Sequence, residues 1–175
     1  MLKAALMTTG AVNERSASFD QVLRDREAQV LRTAFRILGN WADAEDVAQE
    51  VFLRLYRHGL RFANDAALGS WIYRVTVNLC IDRSRGPRAI SGVPDVASED
   101  VSTEAGLIRE QQKERLMAAL SALPIRERAA LVLREIEELS TAEVAATLGT
   151  TEGTVRSQVA KAIAKLRLML GQREL

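Results

Sequence analysis

Six side chains near the end of the chain, Thr154, Arg156, Ser157, Gln158, Lys161 and Lys165, carry hydroxyl, amide and cationic groups that share the outer side of a helix. Donors and cations so placed suit phosphate oxygens and the edges of bases. Between Gly153 and Arg173 there are five Lys or Arg and no acid. Val155, Val159, Ile163, Leu166 and Leu170 recur at three- or four-residue spacing, an apolar stripe that faces protein. Arg156 and Gln158 are the base-reading candidates; Lys161 and Lys165 are placed on phosphates. An ordinary helical hairpin with a solvated basic face has the same periodicity.

A helix-turn-helix is the element that would present this face. The spacing predicts a short helix from about Thr141 to Leu148, with Thr141 as its cap and Glu143 in the first turn, where negative charge is favoured. Gly149 breaks it, and after a three-residue turn a second helix starts near Glu152 or Gly153. A short helix, a glycine and a threonine-rich turn match the docking geometry in which the second helix's N-terminal residues reach the major groove.

Composition limits the rest. The chain has 175 residues, 47% of them hydrophobic, which allows one or two small domains with packed cores. Ten glycines and three prolines, with abundant Ala, Leu, Arg and Glu, predict a mostly helical protein. Net charge is only +1, so contact with nucleic acid must come from local segregation of charge. Charge is segregated: Trp41 to Leu53 holds four acids and no base, Trp71 to Arg88 four bases and one acid, and Ala89 to Ile108 four acids and no base. Three patches imply more than one kind of partner.

Enzymatic chemistry finds little support. His58 is the sole histidine and has no cysteine or carboxylate at ligand spacing, and phosphate-cradling glycine loops and nucleophile elbows are absent. No catalytic residue, metal or cofactor is expected. Cys80, the sole cysteine, excludes an internal disulfide, fits a reducing cytoplasm and reads as a small core residue. The N-terminal apolar run is too short for a secretory signal, and nowhere are there about 18 consecutive apolar residues. The expectation is a soluble cytoplasmic protein, monomeric when free, with no membrane insertion.

Residues 1–18 form an extension whose order the sequence does not decide. Phe19 to Leu38 then makes an amphipathic helix ended by Gly39-Asn40. A second begins near Asp43 and buries Val47, Val51, Phe52 and Leu55, while Asp43, Asp46, Gln49 and Glu50 gather on another side. That acidic side is either a solvated face or a contact surface. After the irregular RFANDAALG, Ser70 can cap a third helix with Ile72, Val75 and Leu79 as its apolar row and Arg74, Asn78, Asp82 and Arg85 outside. With Phe62 and Trp71 such a basic helix could grip single-stranded DNA, which needs cations for the backbone and surfaces for unstacked bases; alternatively the two rings are core. From Gly86 to Thr103 two of the three prolines lie with Gly, Ser and acids, a linker between helical domains.

Taken together, these blocks resemble the extracytoplasmic-function, or group IV, sigma factors of bacterial RNA polymerase. DAEDVAQEVFLRLYRH is similar to the region 2 helix that docks on the polymerase clamp, SWIYRVTVNLCIDRSR to the segment that melts and reads the −10 element, and ALSALPIRERAALVLREIEELSTAEVAATLGTTEGTVRSQVAKAIAKLR to region 4, reader of the −35 element. The resemblance implies an all-α fold of two small helical domains, region 2 over 19–88 and region 4 with its helix-turn-helix over 109–175, joined by a flexible acidic linker over 89–108. It implies core polymerase contact by Asp43, Asp46, Gln49 and Glu50. It implies −10 contact by Phe62, Asn64, Trp71, Arg74, Asn78, Asp82, Arg83 and Arg85, with the loop from Phe62 to Leu68 as a pocket for an extruded base. Promoter DNA and core RNA polymerase are the implied partners, and an anti-sigma factor the implied regulator. Two departures stand out. Ala67 and Leu68 occupy positions where many relatives place an aromatic, and QVAKAIAKLR supplies fewer arginines than the family often has after TVRS. The alternative is a stand-alone helix-turn-helix regulator that uses its N-terminal half for dimerisation or sensing.

Overall fold

The computed structural model describes residues 2–85 and 104–171, with side chains from Phe19 in the first segment and from Gly106 in the second. All regular structure among the described residues is helical. α1 spans Leu2–Leu38, so the helix expected from Phe19 begins far earlier. It ends where Gly39 takes φ +73°, a conformation an L side chain adopts only at a cost. Asn40 turns the chain and caps α2 (Trp41–His58), its side-chain oxygen accepting from the Asp43 amide at 3.0 Å. As expected, α2 buries Val47, Val51, Phe52 and Leu55, joined by Ala44 and Ala48.

The third helix departs from expectation. α3 spans Asp65–Arg83 and is capped by Asn64, which accepts from the Ala67 amide at 2.8 Å, six residues before the expected cap Ser70. Its apolar row differs too: Leu68, Ile72, Thr76, Val77, Cys80 and Ile81 are buried, while Val75 and Leu79 are only half-buried. The reason is that α3 packs on α1 and α2 and also on α6, so no single stripe describes it.

In the second half, α4 runs Glu104–Ser121, which makes residues 104–108 helix where linker was expected; 86–103 lie outside the described residues. α5 (Ile125–Leu131) continues into a π-helical turn, Val132–Ile136, and the chain then passes through Glu138 at φ +57°. α6 (Thr141–Leu148) is capped by Ser140, not Thr141, in a reciprocal box with Glu143, whose carboxylate accepts from the Ser140 hydroxyl and amide and is held below its ordinary range by them. Gly149 ends α6 in the left-handed conformation, and α7 spans Glu152–Leu170 with Thr151 as cap.

The halves share one core. Val30, Ile37, Val51, Leu55 and Val77 from α1–α3 belong to the same buried cluster as Ala129, Val132, Leu133 and Val144 from α5–α6. A smaller cluster of Leu120, Leu123, Leu131 and Ala162 holds α4, α5 and α7 together. Two polar features join the halves. The Arg128 guanidinium, only 1% exposed, donates to the carbonyls of Ile37 at 2.7 Å and Leu123 at 3.0 Å, and to that of Ser121. It thus serves the open carbonyl ends of α1 and α4 at once. The Glu137 carboxylate accepts from Thr33 at 2.7 Å, Arg36 at 3.1 Å and Tyr73 at 3.0 Å. Where α1 passes α4, a side chain at Gly39 would run into the Ser121 hydroxyl.

Replacing Arg128 by Met removes the donors for three carbonyls that water reaches poorly. At about 1.5–3 kcal/mol per hydrogen bond to a charged group, less the gain from burying an apolar side chain, Arg128→Met is expected to cost at least about 3 kcal/mol. A urea midpoint within error of wild type would show that these bonds do not hold the halves together.

Candidate polymerase and promoter interfaces

The recognition helix is held from behind. Val155 and Ala162 are fully buried, with Val159, Ile163 and Leu166 packed around them, so the opposite side of α7 points outward. On it Thr154, Arg156, Ser157 and Lys161 are exposed. Thr151 and Thr154 hydroxyls share a hydrogen bond of 2.9 Å at the start of the helix, and Arg156 lies 3.4 Å from Glu152, both exposed. Two expected contacts are placed differently. Gln158 is half-buried with its amide oxygen enclosed, which turns part of its hydrogen-bonding edge inward. Lys165 donates to the mostly covered Glu127 carboxylate of α5 at 2.8 Å, so its charge is paired within the protein while its side chain stays partly exposed. In front of α7 an open cleft is bounded by Arg126, Glu127, Thr151, Gly153, Thr154, Ser157 and Lys161. Arg126 is a cation that periodicity on α7 alone does not find.

On the acidic side of α2, Asp46 and Gln49 are exposed, Asp43 and Glu50 are half-buried, and the carboxylates are paired. Arg83 at the end of α3 bonds Asp43 at 2.6 Å and Asp46 at 2.5 Å, and Glu50 bonds Arg54 at 2.7 Å. Arg83, expected on DNA, is thereby tied to the carboxylates expected on polymerase. Gln49 remains exposed, and Asp46, Gln49, Glu50 and Leu53 line one wall of a shallow cleft whose other wall is Leu79, Asp82 and Arg83.

On α3, Arg74, Asn78 and Asp82 are exposed, as is Arg85 in the turn just beyond it, 3.6 Å from Asp82. Arg74 has no ion-pair partner among the described residues. Trp71 and Phe62 are half-buried and form a ring cluster with His58: His58 to Phe62 5.1 Å, His58 to Trp71 5.4 Å, Phe62 to Trp71 5.8 Å. The single histidine is therefore an aromatic neighbour. The expected pocket loop is shorter than Phe62 to Leu68, since Asp65 onward is helix, Asn64 is its cap and Leu68 is buried.

Profiles of the two characteristic sigma segments match in order: Sigma-70 region 2 over residues 23–89 and Sigma-70 region 4 over residues 113–166. SigM of Mycobacterium tuberculosis, an ECF RNA polymerase sigma factor, is 37% identical over 171 residues, which cover 96% of this chain and 84% of that protein. The chain belongs to the ECF sigma factors. SigE of Mycolicibacterium smegmatis is 38% identical over 156 residues, and there the chain spans 60% of the relative's length. The fold is that of CnrH solved with the cytosolic domain of CnrY (TM-score 0.67, 22% identity, 94% of this chain and 95% of that one). It is also that of sigma factor RpoE solved with the anti-sigma factor NepR from Bartonella quintana (TM-score 0.66, 20% identity, 90% and 99%). A stand-alone regulator leaves residues 23–89 unexplained. Among the described residues of this sigma factor no helix is long and apolar enough to cross a membrane, and no group of His, Cys, Asp and Glu could hold a metal ion.

Two groups between the interfaces titrate abnormally. Burial pushes the Cys80 thiol up to about 12, with the Asp43 charge adding to it. Burial, then the adjacent Glu137 charge and its hydrogen bond, drives the Tyr73 hydroxyl well above its ordinary value. Both groups are neutral when protonated and hold their protons more tightly in the folded chain. Their contribution is therefore complete below about pH 8.5 and is lost as pH rises past the unfolded values of about 8.5 and 10. The urea midpoint is expected to fall between pH 8 and pH 10.5, and Cys80 to resist thiol reagents until the protein is unfolded. A constant midpoint with a fast-reacting thiol would contradict this burial.

Proposed function

We propose that this sigma factor binds core RNA polymerase through the Asp46, Gln49 and Glu50 side of α2, reads the −35 element with the start of α7, and reads and helps open the −10 element with the exposed side of α3. It works as a specificity subunit, and polymerase supplies the catalysis. The observation that carries the reading is the outward presentation of Thr154, Arg156, Ser157 and Lys161 on a helix whose back is locked into the core. Arg156 is the base reader, because its only ion-pair partner among the described residues is the exposed Glu152 and a guanidinium can address guanine bidentately. Asp43 and Arg83 together act as the brace between the polymerase and −10 surfaces, a different role from the one their types suggest.

The packing of the halves bears on how the promoter is engaged. The two elements lie about 25 base pairs apart, roughly 85 Å along B-form DNA. α3 packs on α6 and α6 on α7, and packed helices lie about 8–10 Å apart, which puts the two reading faces within a few tens of ångströms. In engaging both elements, region 4 leaves region 2 and breaks the Arg128 and Glu137 contacts. Polymerase then holds the separated halves, raising the effective concentration of the second DNA contact once the first is made. A regulator of the anti-sigma class, the kind seen bound to the structural neighbour from Bartonella quintana, would act on this same equilibrium in the cytoplasm.

Transcription of fragmented host DNA by core polymerase, with and without the protein, tests the function. New RNA 5′ ends sharing spaced −35 and −10 sequences are expected; DNA binding without new starts would contradict it. Asp46→Arg is expected to weaken holoenzyme assembly without unfolding the exposed surface, and unchanged core affinity would remove α2 from the interface. Arg156→Ala is expected to cost about 1–3 kcal/mol at one −35 base pair, whereas equal losses on all −35 sequences would make it a phosphate contact.

A further inference from the structure

We propose that Arg126, on α5 and outside the helix-turn-helix, is a DNA phosphate anchor beside the recognition helix. Three observations lead there. Arg126 is exposed at the edge of the cleft it shares with Thr151, Gly153, Ser157 and Lys161, and the start of α7 forms the opposite wall. It has no acidic partner among the described residues, in contrast to Arg156, which has Glu152. Its neighbour Glu127 is the nearest acid in sequence, and that carboxylate is taken up by Lys165 at 2.8 Å.

The ion pair has two effects on the cleft. It withdraws Lys165, the cation that spacing along α7 assigns to phosphate, and it neutralises the acid that would otherwise offset Arg126. Glu127 itself lines the cleft, and with its charge offset by Lys165 the charge left there is that of Arg126 and Lys161. An α-helix with its side chains is about 10–12 Å across and nearly fills the major groove, which is about 12 Å wide. A cation presented by the next helix, to the side of the groove-filling one, therefore meets the backbone at the groove's rim and not a base edge. A guanidinium there can bind two phosphate oxygens at once. The contact is sequence-independent and fixes the register of α7 in the groove, while α7 itself discriminates between sequences.

The proposal rests on α7 reading the −35 element. Holoenzyme made with wild type, Arg126→Ala or Arg126→Lys is titrated from about 0.05 to 0.2 M salt onto a promoter duplex recovered from the transcription mapping, and onto the same duplex with its −35 element scrambled. Losing one phosphate contact lowers the slope of log affinity against log salt by about 0.9, which is about eightfold in affinity at 0.1 M salt. Arg126→Ala is expected to show that change by the same factor on both duplexes, with unchanged start sites and an unchanged urea midpoint, and Arg126→Lys to restore most of the slope. An unaltered slope in Arg126→Ala overturns the proposal and leaves the −35 reading intact, provided wild type still distinguishes the duplexes. A loss confined to the intact −35 duplex also overturns it, since that marks a base contact. If wild type does not distinguish the duplexes, the −35 reading fails and the proposal fails with it.

Discussion

The Arg128 guanidinium is the interaction on which the arrangement depends. It lies inside the protein and donates to carbonyls at the end of α1 and at the end of α4. Helix ends leave carbonyls without partners, and a buried end without donors is costly. One side chain from region 4 meets that need for a helix in each half. The apolar surface around it is continuous across the halves, so Arg128 is both the polar centre of a shared core and a tie between the two units. Glu137 adds a second tie a short distance along, and the π turn with the left-handed Glu138 is the backbone path that brings its carboxylate to Thr33, Arg36 and Tyr73.

This closure decides which surfaces remain outside. The back of α7 is enclosed and its front is free; the acidic side of α2 is free but braced by Arg83; the exposed side of α3 carries Arg74 and Asn78 while its other sides are covered by α1, α2 and α6. Each candidate interface is therefore complete locally, and what the closed form lacks is the span between them. On the proposed reading stability and function draw on the same contacts, since the bonds that cap the helices of the closed chain are the ones that the proposed extension on a promoter would break.

Much of this was legible in the sequence. Gly149, the threonine-rich turn and the stripe from Val155 fixed the helix-turn-helix to within a residue, because turn chemistry and a one-sided apolar pattern coincide there. The stripe on α2 was equally clear. α3 was not, because a helix covered on several sides has no single stripe, and Asn64, a good cap, lay within a stretch that reads as loop. Pairing across helices leaves no mark in the sequence: spacing along α7 assigns Lys165 to phosphate and the likeness to region 2 assigns Arg83 to DNA, whereas Glu127 pairs the first and Asp43 and Asp46 the second. Arg128 left a trace, since a charged residue at a core position between Ile125 and Val132 is out of register with a solvated role. The shared core is long-range and left none.

The most direct test of the closed-to-extended account is the distance between α2 and α7, read by energy transfer between dyes at Arg57 and Ala164, both exposed positions. The free protein should give efficient transfer, and holoenzyme on promoter DNA should lose nearly all of it as the halves separate toward roughly 85 Å. Efficient transfer retained on the promoter, or absent already in the free protein, would contradict the account.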